Sequence, residues 1–259
     1  MATAPHQVKF FGRVHPTGIK LSIQNQAPIS FIESTGQFKA EYHISIVDSA
    51  IEVLCYFDNR TPAHPYELWQ QCLLIVQGLV DLIAFQMGAG AITIIDRWIN
   101  DQGVEDGFAL ADPILKPVCT SFGQDERFSR VANLIMIEPA IMSALNDLVI
   151  ANVIVTQCLI NTARAVETIR VLIAGPTEKS DERKKAWELM QKVLNVSQPY
   201  VEYVTKNSFA PRHGNQIAVV ARTVHESRRR AWTIMDRFLH YRLRGNQPLP
   251  LVWFPMLTG

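Results

Sequence analysis

Five side chains suited to phosphate chemistry fall within eleven residues: Tyr203, Lys206, Asn207, Arg212 and His213. A histidine titrates near neutrality and moves protons as a general acid or base. A guanidinium or ammonium group stabilises charge on a phosphate, and an amide orients the groups around it. Between Tyr203 and Arg244, nine Lys and Arg residues stand against only Glu226 and Asp236, a local net charge of +7. A phosphate backbone calls for this clustering, because each phosphate that is neutralised releases a counterion. Arg222, Arg229, Arg237 and Arg244 lie along one helical pattern and are its candidate nucleic-acid-binding residues. The same arginines also suit a plain solvated helix face.

Other chemistries are excluded by spacing. His225-Glu226 begins like a metalloprotease H-E-x-x-H, but Arg229 occupies the fifth position. No histidine pair has metal-ligand spacing, and neither a G-x-S-x-G elbow nor a P-loop occurs, so no metal or cofactor is implied. Gly88-Ala89-Gly90 follows a helical pattern and precedes a strand, the reverse of a dinucleotide fingerprint. Asp101 to Gly107 lacks the ligand spacing of an EF-hand loop. Cys55, Cys72, Cys119 and Cys158 are far apart and form no C-x-x-C pair, so they read as small buried residues.

A set of long helices with a polar Asn and a His-Gly before the last one resembles the HEPN superfamily. Lys206-Asn207-Ser208-Phe209-Ala210-Pro211-Arg212-His213-Gly214 matches its signature of Arg, a polar residue, several further residues and His. Lys206 stands where the family has Arg, and Arg212 adjoins the histidine. The resemblance covers the chain from Arg130 onward. It implies a metal-independent endoribonuclease, often a homodimer that brings two motifs over one phosphodiester. His213 would then move a proton, Arg212 or Lys206 would stabilise the phosphate, and Asn207 would orient the groups. Lysine in place of arginine weakens this expectation, because an ammonium is a point charge whereas guanidinium grips two oxygens. Many members of the superfamily bind nucleotides or assemble without cleaving.

The same residues also have a purely structural use. Asn207 can end a helix in a left-handed conformation, His213-Gly214 can cap the next one, and Arg212 can pair with Glu202.

Two kinds of element must hold these groups. Phe38, Ala40, Tyr42, Ile44 and Ile46 alternate with polar residues, and Ile51, Val53, Cys55 and Phe57 resume the alternation after an Asp48-Ser49 turn. Val8 to Phe10 and Ile19 to Ile23 share the period, Ile29 and Phe31 add a strand, and another falls near Ala91 to Trp98. Together they predict an antiparallel sheet with one wet face. A helix from Pro65, apolar at Trp69, Cys72, Val76, Val80 and Ala84, covers the other face. Leu73 to Ile95 is long and apolar enough to suggest a membrane span. Asp81 near its middle, which costs about 3 kcal/mol there, and the Gly88-Ala89-Gly90 break favour a core helix.

From Arg130 the strand period disappears. Leu148 to Ile160 is apolar all round and runs on as a central helix to Gly175-Pro176. Ser180 opens a helix whose buried stripe extends from Ala186 through Leu189 and Leu194 to Val204. After Asn207 to Asn215, Ile217 to Phe238 marks the last helix, and an apolar, Pro-rich tail docks on the protein.

The expected fold is α+β: residues 1–128 form a sheet with a covering helix, and residues 129–259 form a HEPN-like bundle with an extended tail. The 259 residues carry a formal net charge of +1, but residues 1–129 carry −6 and residues 130–259 carry +7. An anionic partner is therefore not excluded. The expected partner is RNA or a nucleotide, with no membrane and with a homodimer as the natural assembly. The competing expectation is a non-catalytic interaction protein whose bundle dimerises or docks a protein partner. No secretory signal is visible, which points to the cytoplasm.

Overall fold

A computed structural model describes residues 6–24, 27–32, 39–58, 65–107, 115, 118, 126–214 and 221–259. The chain divides into two compact units, Met1–Leu110 and Ala111–Gly259. Phe38, Pro113, Pro117, Cys119 and the stretch from Asn215 to Val220 lie outside the described residues.

The first unit is a six-stranded sheet with neighbouring strands antiparallel: β1 (His6–His15), β2 (Ile29–Ile32), β3 (Lys39–Val47), β4 (Ala50–Phe57), β5 (Ile92–Asn100) and β6 (Glu105–Gly107). Its spatial order is β2-β3-β4-β1-β5-β6. Asp48 and Ser49, at φ 48° and 68°, make the tight turn that pairs Val47 with Ala50. Ala40, Tyr42, Ile44 and Ile46 are buried, as the alternation requires. Ile19 to Ile23 departs from the expected strand: Thr17–Ile19 is a 3₁₀ turn, and Ile23 makes an isolated bridge to Ile46. In β5 one extra residue, Asp96, falls between the partners of Phe11 and Gly12. A Cβ on Gly12 would lie 2.0 Å from the Ile94 carbonyl oxygen, so the close approach at this bulge demands glycine.

Helix α1 (Pro65–Met87) covers the apolar face. The Trp69 indole donates to the Ile95 carbonyl at 2.7 Å, the Tyr42 hydroxyl to Gln71 at 2.8 Å, and the Thr93 amide to the Gln77 side chain at 2.8 Å. Burying side chains such as Val76 and Val80 stabilises the unit by about 1.5–3 kcal/mol each. Leu68–Met87 has the length and hydropathy of a span; Trp69, Cys72, Val76, Val80 and Ala84 are buried on one side of it, while Leu74, Leu82, Phe85 and Met87 are exposed.

In the second unit the described residues form seven helices: α2 (Glu126–Ile137), α3 (Pro139–Val153), α4 (Cys158–Ala174), α5 (Ser180–Leu194), α6 (Gln198–Asn207), α7 (Phe209–Arg212) and α8 (Ala221–Leu243). Ile141, Leu148, Val166, Ile169, Met190, Leu194, Val204, Ile234 and Phe238 pack into one core. Two helices that the apolar pattern runs together are each broken. Ile154 leaves helical geometry (φ −108°, ψ 89°) within the run Val153-Ile154-Val155-Thr156, whose β-branched side chains favour helix weakly. Asn195 turns left-handed (φ 53°) between α5 and α6, a conformation asparagine tolerates, and Leu189 is largely exposed rather than part of the stripe. The tail docks: the Leu249 amide donates to Val193, and Leu257 both donates to Asn195 and accepts from Ser197, all at 2.9 Å.

Candidate functional site

Helix ends bring the candidate residues close to one another. Helix α4 stops at Gly175 (φ 81°) before Pro176, and α5 opens at Ser180. The Ser197 hydroxyl caps α6 by accepting from the Tyr200 amide at 3.4 Å. The break at Asn195 separates α5 from α6, and residues of both helices, with α4 and α7, line a half-open cavity of about 700 Å³.

Lys206 and Arg212 both line this cavity, and so do Arg170, Arg183 and Lys184. Glu167, Glu188 and Glu202 are the carboxylates on its walls, so cations outnumber anions by five to three. Lys206 pairs with Glu202 at 2.6 Å, and Arg212 pairs with Glu167 at 3.1 Å. Arg212 therefore has a carboxylate partner, but on α4 rather than the expected Glu202. The Lys206 hydrogen bond, with one from Gln198, holds the Glu202 carboxyl below its ordinary range.

Asn207 and His213 do not line the cavity. The Asn207 amide donates to the Tyr203 carbonyl at 2.7 Å, one turn back on its own helix. It closes α6 in this way, not by the left-handed conformation expected of it. His213 caps α7, with its ring centroid 4.4 Å from that of Phe209. The four residues of the motif are thus divided, two on the cavity wall and two beside it.

The basic side of α8 is divided as well. Arg222 and Arg244 are exposed. Arg229 grips Glu226 with two bonds, of 2.7 and 2.9 Å, and Arg230 adds a third at 2.6 Å. The Arg229 bonds, aided by those of Arg230 and opposed by burial, hold the Glu226 carboxyl down at about 2. Arg237 does not belong to an outer basic face. It is 4% exposed and donates to the carbonyls of Leu194, Asn195 and Pro255 at 2.9, 2.6 and 2.6 Å. Helical spacing explains this, since Arg237 lies three residues after buried Ile234 and four before buried Tyr241.

Arg170, Arg183, Lys184 and Trp187 are cavity residues that the sequence reading passes over. Arg170 is the buried one of the two arginines of α4, at 8% exposed. Its Nη1 donates to the Thr177 hydroxyl at 3.1 Å, its guanidinium carbon lies 5.4 Å from the Trp187 ring centre, and its Nε has no hydrogen-bond partner. The available signal was its helical spacing: Arg170 follows buried Ile169 directly and buried Val166 by four residues, on the apolar side of α4. Among the described residues no group of His, Cys, Asp and Glu is arranged to hold a metal ion.

No curated protein and no solved structure matches the chain. Residues 8–108 match the N-terminal domain, and residues 128–243 the C-terminal domain, of the family described as "Domain of unknown function (DUF8168)". The second match ends at Leu243, where α8 ends, and leaves the tail outside. The chain therefore carries both domains of the DUF8168 family, in their N- to C-terminal order.

Proposed function

We propose that the helical unit binds a phosphate-bearing ligand, RNA or a nucleotide, in the cavity walled by α4, α5, α6 and α7, and does so in the cytoplasm. One observation carries this reading: Lys206 and Arg212 share a cavity of about 700 Å³ with three further cations. That volume is within the range of small-ligand sites, about 300–1,000 Å³. Excess positive charge in a concave wall concentrates anions there. The HEPN resemblance of the motif supports the same ligand class. Binding is favoured over cleavage, because the Asn207 amide is engaged by its own helix and neither it nor His213 lines the cavity. The test is retention of a labelled RNA by the full chain in EDTA, at rising salt. Binding that weakens steeply with salt supports the reading, and no binding at 50 mM salt, the low end of the usual range, overturns it.

A second reading rests on α2, whose Phe128, Met136 and Ile137 are 58, 78 and 80% exposed. Large exposed apolar side chains of this kind suit self-association or a protein partner. Light scattering tests it: a dimer that Ile137→Asp converts to a monomer supports this reading, and a wild-type monomer overturns self-association.

A further inference from the structure

We propose that the part of the cavity between α4 and the start of α5 is a subsite for a terminal phosphate, the phosphomonoester of a nucleoside monophosphate or of a phosphorylated RNA end. This rests on the phosphate-binding reading above. The cavity cations fall into two groups. Lys206 and Arg212 are each paired with a carboxylate. Arg170, Arg183 and Lys184 make no ion pair among the described residues.

Arg170 is the centre of the second group. It is buried, Trp187 and Thr177 hold it in place, and its Nε lacks a partner. A buried guanidinium without a carboxylate partner is costly, and an anion in the cavity that it lines offsets the charge. Arg183 makes the deficit larger. Its charge, added to burial, weakens the hold of Arg170 on its proton, and Glu167 offsets this only in part. Ser180 begins the fifteen-residue α5 on the same wall, so the amides of its first turn add a partial positive charge. Asp181 and Glu182 of that turn do not line the cavity.

Three unpaired cations suit a monoester better than a diester. A phosphomonoester carries about −1.5 to −2 at neutral pH and offers three acceptor oxygens. An internal RNA phosphate carries one charge and continues as chain on both sides.

The test compares two short RNAs labelled at the 3′ end, one with a 5′-phosphate and one with a 5′-hydroxyl, by fluorescence anisotropy with the full chain. The phosphorylated RNA should bind at least about tenfold tighter, the scale of one charge-assisted hydrogen bond. Arg183→Gln with Lys184→Gln, both exposed positions, should abolish the preference. Arg170→Gln should do the same in a chain that melts like wild type. Lys192→Gln, on α5 but off the cavity wall, should keep it. Competition by AMP but not by adenosine extends the site to free nucleotides; competition by neither, with the preference intact, confines it to RNA ends. Equal affinity for the two RNAs, or a preference that survives the double substitution, overturns the terminal-phosphate subsite and leaves the broader reading standing. Failure to bind either RNA or AMP removes the broader reading as well.

Discussion

Arg237 on α8 donates a 2.6 Å hydrogen bond to the backbone carbonyl of Asn195, the left-handed residue that separates α5 from α6. The Asn195 side chain in turn donates to the carbonyls of Leu249 and Phe254 at 2.7 and 3.0 Å. Arg237 also holds Leu194 and Pro255, so one buried cation joins the last helix, the helix break and the tail. Two of the carbonyls that this latch holds belong to the end of α5 and to the break before α6, the two helices that carry Arg183 and Lys206.

Arg237→Leu should lower stability by about 3–5 kcal/mol, because three carbonyls lose a charged donor in a buried setting. Arg222→Gln and Arg244→Gln, at exposed positions, should each change it by no more than about 0.5 kcal/mol. Urea unfolding followed by circular dichroism measures all three. Comparable small losses at all three positions would contradict the latch.

Beside the latch, burial pushes the Asp236 carboxyl up to about 7, while Arg237 opposes the shift. Its Oδ1 has no hydrogen-bond partner. In the unfolded chain the group ionises near 4. Between about pH 4 and pH 7 the native state therefore holds a proton that the unfolded state has lost. The contribution of this group is full below about pH 4 and declines as pH rises through about 7. Asp236→Asn, which mimics the neutral carboxyl, should match wild type at pH 4 and exceed it at pH 8 by on the order of a few kcal/mol. His240, whose pKa is lowered chiefly by burial, titrates in the opposite sense. Its Nε2 lies 3.9 Å from the Asp236 Oδ1, so Asp236→Asn also removes a neighbour of the imidazole, and the same comparison in a His240→Gln background isolates the Asp236 titration. A difference in unfolding free energy that stays constant from pH 4 to pH 8 would refute the assignment.

The sequence makes the sheet legible because its signal is local: alternation at Ala40 to Ile46 and two turn residues fix both register and face. The separate helices are less legible. A hydrophobic period marks a face but not a break, and Ile154 and Asn195 interrupt their patterns without a glycine or proline. At the site, charge counting finds Lys206 and Arg212 because both are exposed cations in a basic stretch. It miscounts Arg237, whose partners are backbone carbonyls 42 and 43 residues away. It misses Arg170 because the significance of that residue lies in an unmade hydrogen bond, which no spacing records.

Wild-type protein should leave mixed RNA intact in EDTA, and His213→Ala should behave identically. The physical ground is the engagement of Asn207 by Tyr203 and the position of His213 beside Phe209, off the cavity wall. Gel analysis of end-labelled RNA reads the result. Metal-independent fragments that disappear in His213→Ala would restore the nuclease reading.

The central claim is that the phosphate site is the α4–α7 cavity and not the outer face of α8. Equilibrium binding of a 5′-phosphorylated RNA tests it most directly, with Arg183→Glu plus Lys206→Glu set against Arg222→Glu plus Arg244→Glu. Both pairs reverse two exposed charges, so non-specific attraction falls equally. The cavity pair should lose at least about tenfold more affinity than the α8 pair. Equal losses, or a larger loss from Arg222 and Arg244, would contradict it.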